Sequence, residues 1–492
     1  MHNEQVFTPE WVVTEMLTNL SYKGENIRKK HIIDNSCGDG AILKEVVKRY
    51  IKQCIKENVP NEIIKQELET YIHGIELDFD LVIKTKDTLN DVACHYSLYS
   101  VNWNIEYDDA MYNHNFDNKM DYVIGNPPYC NIHHIEEDKR EDVKKYRFAN
   151  GGMTDMYLVF FEIGINMLNE YGKLAYITPN SWLTSKAGTN FRNYIFEEKN
   201  LYALTQFGEY KVFPKVNTYT CITYLSKQHK GDETFLSTRF IVDKSKIQIT
   251  HVKETLSNVT NDGNIYITDK NSLESVKAIN DKYNDLRKNK KLYLSVKNGF
   301  ATLNDEFFII DDFVKENGLC ENVISVMKAS NSDRHYFFFP YDRDGKPLDL
   351  SQIDEKLVSY MRKKAVSMKI DIDNNDKWYL YGRTQALNDV KYPKVIVNNL
   401  IRSVEDIKID LINENEGIYS GYYIPLTDYN IKYQDIDRFL KSNYFLEYIK
   451  AVGKYKNGGY YTFSSKELEK YLNYSVFERE IYELINPTLY NS

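Results

Sequence analysis

The first 227 residues alternate short apolar runs with longer stretches of helical period, and this alternation restricts the fold more than any other feature. The runs are His31–Asp34, Tyr71–Glu76, Trp103–Glu106, Tyr122–Gly125, Leu174–Ile177, Tyr202–Thr205 and Thr220–Tyr224. Helical patterns such as Ala41–Cys54 and Met156–Leu168 lie between them. Such a chain folds as α/β, with a mostly parallel sheet and helices on both faces. Ligands on these sheets bind beyond the carboxyl ends of the strands. The residues at those ends are where chemistry is to be sought.

With 492 residues the chain has room for two or three domains. The polar stretch "KQHKGDET", residues 227–234, marks a boundary, after which the regular alternation stops. We therefore expect one domain over 1–230 and a second, mixed α+β domain over 231–492. A net charge of −8 does not suggest nucleic acid, although steering depends on local patches rather than the sum. Forty-one tyrosines and 23 phenylalanines fit either a biased coding composition or a surface that stacks on bases. The cysteines Cys37, Cys54, Cys94, Cys130, Cys221 and Cys320 form no CxxC pair, so neither a zinc site nor a disulfide framework is indicated. No signal peptide and no membrane-spanning apolar run is present, which predicts a cytoplasmic protein with no membrane partner.

After the first strand comes "DNSCGDG", Asp34 to Gly40, and then a helix. Small residues and glycines there let a backbone approach a ligand at a helix N-terminus. Read alone, it is also an ordinary strand–helix turn, and it lacks the GxGxxG pattern. The second strand ends in Glu76, whose carboxylate can accept from both hydroxyls of a ribose. The third is followed by Asp108 and Asp109, able to accept from an exocyclic adenine amine. In strand order these positions describe the tail, sugar and base of one nucleoside.

The fourth strand ends in Asn126-Pro127-Pro128-Tyr129. Two prolines cannot continue a central strand, because neither has an N–H to donate. The Asn126 side-chain oxygen and the Pro127 carbonyl can both accept from one planar NH₂ group. Such an amine is a poor nucleophile while its lone pair is delocalised into a ring. Two acceptors aimed out of the ring plane free that lone pair and stabilise the charge that grows on nitrogen. Tyr129 can stack on the ring. The pattern points to methyl transfer from a sulfonium cofactor to a planar amine.

At these residues the chain resembles the N6-adenine DNA methyltransferases of restriction–modification systems. "QVFTPEWVVTEML", Gln5 to Leu17, is similar to that family's first cofactor motif, with Phe7-Thr8-Pro9 at its heart. "DNSCGDG" resembles its cofactor loop, with Asn35 where the family has Pro. "TDMYLVFFEIGINML" from Thr154, "GKLAYITPNSWL" from Gly172 and "VFPKVNTYTCITYL" from Val212 resemble its later motifs. The resemblance implies a Rossmann-like S-adenosylmethionine-dependent sheet. It implies a cofactor site of Phe7, Thr8, Pro9, Asp34, Ser36, Gly38, Glu76, Asp109 and Asn126, and no metal. It implies catalysis by Asn126, Pro127, Tyr129 and Phe213, the two rings holding a flipped adenine by its faces. The motif order is the gamma arrangement, with a C-terminal target recognition domain for double-stranded DNA. A cognate restriction endonuclease would act separately. The chain begins almost at the first motif, so an N-terminal fused nuclease is not expected.

The second half carries weaker traces of such recognition domains in Lys297–Ile309, Trp378–Ala386 and Tyr455–Ser464. Arg287, Lys288, Lys290 and Lys291, then Lys450, Lys454 and Lys456, interleave with tyrosines. Such mixtures suit phosphate contacts and stacking, and equally suit solvated helix faces. The rival readings are an RNA adenine methyltransferase, a protein glutamine methyltransferase and a non-catalytic nucleotide-binding scaffold.

Overall fold

The computed structural model describes the chain apart from residues 1–7, 133–134, 136, 150–153, 215–217, 230, 244–245, 427–430, 457 and 486–492. Each strand of the first half sends alternate side chains to opposite sides, as the pleat requires. Ile32, Ile124, Ala175 and Tyr224 enter one core, while their neighbours Ile33, Val123, Leu174 and Leu225 enter another. Both faces of the sheet are therefore buried, which is why its strands read as apolar runs rather than alternating ones.

In chain order the elements are α1 (Glu10–Asn19), β1 (Ile32–Asp34), α2 (Ala41–Lys56), α3 (Asn61–Tyr71), β2 (Ile72–Glu76), α4 (Phe79–Cys94), β3 (Asn104–Tyr107) and β4 (Met120–Gly125). Then come α5 (Glu137–Val143), α6 (Met156–Met167), β5 (Leu168–Pro179), α7 (Thr189–Glu198), β6 (Leu201–Gln206), β7 (Thr220–Ser226), β8 (Thr234–Asp243) and β9 (Lys246–Thr255). They form a nine-stranded sheet in the order β3-β2-β1-β4-β5-β7-β6-β8-β9. The first five strands of that order are parallel, and β7 is antiparallel to both its neighbours. Side chains of α1, α2, α3 and α4 cover one face, and those of α6 and α7 the other. α6 is apolar over most of its circumference, with Tyr157, Leu158, Val159 and Phe161 fully buried, and it reaches solvent only near Glu162 and Asn166.

The chain divides into two compact units, Met1–Ile267 and Thr268–Ser492. The boundary thus falls later than the polar stretch at 227–234. That stretch is the connection from β7 to β8, and β8 pairs in parallel with β6, which keeps residues 234–255 in the first sheet. Among the described residues of the second unit the strands form only small sheets. Residues 297–298, 422–425, 394–397 and 409–412 form one small sheet, and residues 334–338, 323–328 and 416–419 form another. Its core is rich in aromatic rings, among them Phe307, Phe337, Phe338 and Tyr381. Among the described residues no helix is long and apolar enough to cross a membrane.

Candidate active site

The strand order turns back between β1 and β4: chain from β1 runs outward to β2 and β3, then returns to the other side. Open α/β sheets hold ligands at such a reversal, beyond the carboxyl ends of the strands. β1 ends there in Asp34, and β4 ends there in Gly125. The two ends touch. A Cβ built on Gly125 would lie 3.2 Å from Asp34 Oδ1 and 3.0 Å from Cε1 of Tyr176, tighter than ordinary contact, so any other residue here would push the two ends apart by a few tenths of an ångström.

The loop after Asp34 is held in an unusual shape. Gly38 and Gly40 have φ of +56° and +82°, in the left-handed region that favours glycine. The Cys37 N–H donates to the Ile75 carbonyl at 3.0 Å, tying the loop to β2. The Gly38 N–H donates to Oε2 of Glu76 at 2.8 Å, and the Asp78 N–H to Oε1 at 3.0 Å. Glu76 is therefore the clasp of this loop as well as its neighbour. Beside it, Leu77, Phe79 and Tyr107 are more than half exposed, and the last two rings meet edge to face at 5.4 Å. Apolar groups left this open at the mouth of a glycine loop suit a flat ligand.

Asp34 is buried, and its Oδ1 accepts from the Ser36 N–H at 3.2 Å. Burial pushes its pKa up to about 8; the Ser36 bond opposes the shift and the nearby Glu76 charge adds to it. The Ser36 hydroxyl is buried with no hydrogen-bond partner among the described residues. A Cβ on Gly38 would meet nothing within 4 Å, so that side of the loop is open. Asp109, at the end of β3, accepts from the Met111 N–H at 3.0 Å and pairs with Lys139 of α5 at 3.2 Å. Thr8 is buried just before α1, and Pro9 caps that helix in extended conformation. Phe7 lies outside the described residues.

After β4, Pro127 is buried and Pro128 exposed, while Asn126 and Tyr129 are half-buried. The segment does not dangle. The Met156 N–H donates to the Cys130 carbonyl at 2.9 Å, the Ile132 N–H to the Thr154 carbonyl at 3.0 Å, and Asn131 Nδ2 to Asp155 at 3.0 Å. The Tyr129 hydroxyl donates to the Ile177 carbonyl of β5 at 3.2 Å. Burial pushes the Tyr129 phenol and the Cys130 thiol above their usual pKa values. Both stay protonated at neutral pH, so Cys130 is not set up as a thiolate nucleophile.

Tyr129 and Phe213 do lie side by side, but not as an open slot. Their ring centroids are 6.5 Å apart with the planes at 62°, and Phe213 is buried in the core. A base between two parallel rings needs about 7 Å between them, two van der Waals separations. In this structure the two rings meet edge to face rather than as parallel walls.

Two residues of this site were not legible as functional. The sequence marks Asn35 only as a departure from the family's Pro, yet its side chain is buried and accepts from the Tyr176 hydroxyl at 2.8 Å. Lys139, which meets Asp109, sits on α5 with no motif around it. A polar residue directly after a strand-end acid was the one available signal for Asn35. Among the described residues no group of three or more His, Cys, Asp or Glu could hold a metal.

Residues 23–213 match the family described as Eco57I restriction-modification methylase. That segment runs from before β1 to Phe213 and takes in the loop, Glu76, Asp109 and Asn126. The Escherichia coli "Type II restriction enzyme and methyltransferase RM.Eco57I" is 24% identical, over 91% of this chain and 54% of its own length. The type II methyltransferase M.AccI of Acinetobacter calcoaceticus is 27% identical, over 56% of this chain and 51% of its own. M.HincII of Haemophilus influenzae is 23% identical over 92% and 82%. The chain spans about half the length of the first two of these relatives. Among solved structures, the type IIL restriction–modification enzyme MmeI in complex with DNA has a TM-score of 0.63 at 13% identity, over 92% of this chain and 64% of that one. The type ISP enzyme LlaGI, a nuclease-deletion mutant with a DNA substrate mimic, has a TM-score of 0.56 at 13% identity, over 97% and 47%. These likenesses show the fold. The matched family and the type II relatives make this chain similar to methyltransferases of restriction–modification systems.

Proposed function

We propose that the chain is a site-specific DNA adenine methyltransferase, moving a methyl group from S-adenosylmethionine to the N6 amine of a flipped adenine in double-stranded DNA. It would be the modification activity of a type II restriction–modification system. The observation that carries this reading is the contact of the Asp34 loop with the Gly125-Asn126 strand end at the sheet reversal. Cofactor groove and amine acceptors are thereby neighbours. The residues fit the cofactor. Glu76 can take ribose hydroxyls, the orphaned Ser36 hydroxyl and the open side of Gly38 accept a polar tail, and Phe79 and Tyr107 offer faces to a purine. When bound, S-adenosylmethionine supplies an electrophilic methyl group.

The chain's own part is to bind and orient. A paired adenine hides its amine, so the base leaves the stack. The Asn126 side chain and the Pro127 carbonyl accept the two amine hydrogens, and Tyr129 fixes the plane of the ring. The attack is direct, and no covalent enzyme intermediate is needed. For the base to enter between Tyr129 and Phe213, the Phe213 ring swings out of its present edge-on position. The second unit, whose traces include Lys297–Ile309 and Trp378–Ala386, supplies sequence recognition. A partner endonuclease acting on the same site completes the system.

The test is incorporation of labelled methyl from S-adenosylmethionine, followed by long-read sequencing of DNA from a methylation-free host expressing the chain. N6-methyladenine at one recurring sequence is expected. Label in RNA or in protein glutamine, with none in DNA, would replace this reading by one of its rivals.

Cofactor binding should also depend on pH through Asp34. Its carboxyl, with a pKa near 8, holds its proton at pH 7. A cationic cofactor favours the ionised form, so binding below pH 8 releases a proton. Affinity should therefore rise as pH rises, by up to about tenfold per pH unit for one proton, and level off above pH 8. Without ligand the sign is the opposite. The folded carboxyl keeps a proton that the unfolded chain has lost, so stability falls as pH rises from about 4 to 8. Calorimetry in buffers of different ionisation heat reads the proton directly. A pH-independent affinity between 6 and 8 in the unsubstituted protein would refute the link, and Asp34→Asn should flatten the profile.

A further inference from the structure

In a chain of net charge −8, one small sheet of the second unit gathers cations and rings on a single face. Residues 400–401, 460–462 and 454–456 form three antiparallel strands. The register pairs Lys454 with Thr462, Lys456 with Tyr460, and Leu400 with Thr462. Paired residues share a face and so do residues two apart, so Lys454, Lys456, Tyr460, Thr462 and Leu400 stand together. Tyr455, Tyr461 and Ile401 point the other way. Lys454, Lys456 and Leu400 are exposed, and neither lysine makes an ion pair among the described residues. The Arg402 guanidinium, also exposed, lies over the Tyr460 ring at 5.0 Å from its centroid. Two acids lie near this face: Asp406 pairs loosely with Arg402 Nε at 3.9 Å, and the Lys454 charge acts on Glu467. Glu467 accepts from the Ser464 N–H at 2.5 Å, and Asp406 accepts from the Arg402 and Ser403 N–H groups at 2.9 and 3.0 Å. Gly458 and Gly459, just before the strand that bears Tyr460, have φ of +78° and +82°.

The other basic clusters have local explanations. Arg287 and Lys288 end the helix Lys270–Lys288, where its dipole favours cations, and Lys450 pairs with Glu447 at 3.0 Å. On the sheet face Arg402 has only the loose, exposed 3.9 Å pair with Asp406, and Lys454 and Lys456 make no ion pair among the described residues, so most of its charge is directed outward.

We propose that this face tracks the phosphate backbone of duplex DNA without reading its sequence. The proposal rests on the DNA-methyltransferase reading above. Two ammonium groups on one face of one strand and an arginine held over a neighbouring ring suit a regular row of anions. Phosphate contacts fix a protein's position on the duplex and carry no sequence information.

The experiment uses the full chain, a 30-base-pair duplex of unrelated sequence and a duplex carrying the methylated site found by sequencing. Affinity is measured across salt concentrations for the unsubstituted protein, for Lys454→Gln with Lys456→Gln, and for the two lysines changed to arginine. The Gln pair should lower the steepness of log affinity against log salt by about 2 on both duplexes, since each phosphate contact contributes about 0.9. The ratio of specific to non-specific affinity should stay unchanged, and the Arg pair should keep the original slope. A Gln pair with the original slope and affinity would overturn this proposal alone. So would a loss confined to the specific duplex, which would mean base reading. If the unsubstituted protein binds no duplex at all, both this proposal and the functional reading fall.

Discussion

Asn126→Ala should slow methyl transfer in single turnover about a hundredfold or more while leaving cofactor and DNA binding nearly intact. Removing one preorganised polar group from a site of developing charge costs roughly 3 kcal/mol of transition-state stabilisation, which is about two decades in rate. The interaction strengthens as positive charge grows on the amine, so it appears in the rate and little in the affinity. The backbone around Asn126 is held independently, by the Cys130–Met156 and Ile132–Thr154 bonds, so truncation at Cβ should not collapse the loop. Cys130→Ala, measured in parallel, should keep the rate, because its thiol is protonated and no covalent step requires it. A full rate in the Asn126 variant, or loss confined to the Cys130 variant, would mean that another group activates the amine.

Glu76→Ala should weaken S-adenosylmethionine binding about a hundredfold. Two hydrogen bonds from ribose hydroxyls to a carboxylate are each worth roughly 1.5–3 kcal/mol, of which part is regained by water. The structure adds a second reason. The same carboxylate receives the Gly38 and Asp78 N–H groups, so its removal loosens the loop that bounds the cofactor. Glu76→Gln separates the two effects. An amide keeps one acceptor oxygen and no charge, so it should fall between the unsubstituted protein and alanine. Thermal unfolding of each variant reports the loss of the clasp, and calorimetry the loss of affinity. Unchanged affinity in Glu76→Ala would remove Glu76 from the cofactor site.

The strands of the first unit were readable because burial on both faces leaves continuous apolar runs, as in Tyr122-Val123-Ile124. The hairpin of β8 and β9 was not, for the opposite reason. Its outer strand, Lys246–Thr255, is largely exposed and alternates Lys, Gln and Thr with isoleucine. Only the pairing of β8 with β6, a long-range event, makes it part of the sheet. Within the candidate site, strand-end residue types single out Asp34, Glu76, Asp109 and Asn126, and the sheet order brings Asp34 against Gly125 and Glu76 against Gly38. Orientation was not encoded in the same way. Nothing in the letters distinguishes a Tyr129–Phe213 pair held open from one that is edge to face at 6.5 Å. Nor does a second role for Glu76 show, since its partners are backbone groups that any sequence supplies.

Asn35 and Tyr176 form a bond between the loop after β1 and β5, the neighbour of β4, and a third residue completes it. A Cβ on Gly164 of α6 would collide with the Tyr176 hydroxyl. These positions lie far apart in the chain, yet they can drift only together. Proline at 35 would strand a buried phenol, phenylalanine at 176 would strand a buried amide, and any side chain at 164 would displace the ring. A relative with proline at the first position is thus free to carry phenylalanine at the second and a larger residue at the third. In this chain the route between those two solutions passes through destabilised single variants, and the two states are separated by a step that only coupled substitutions cross.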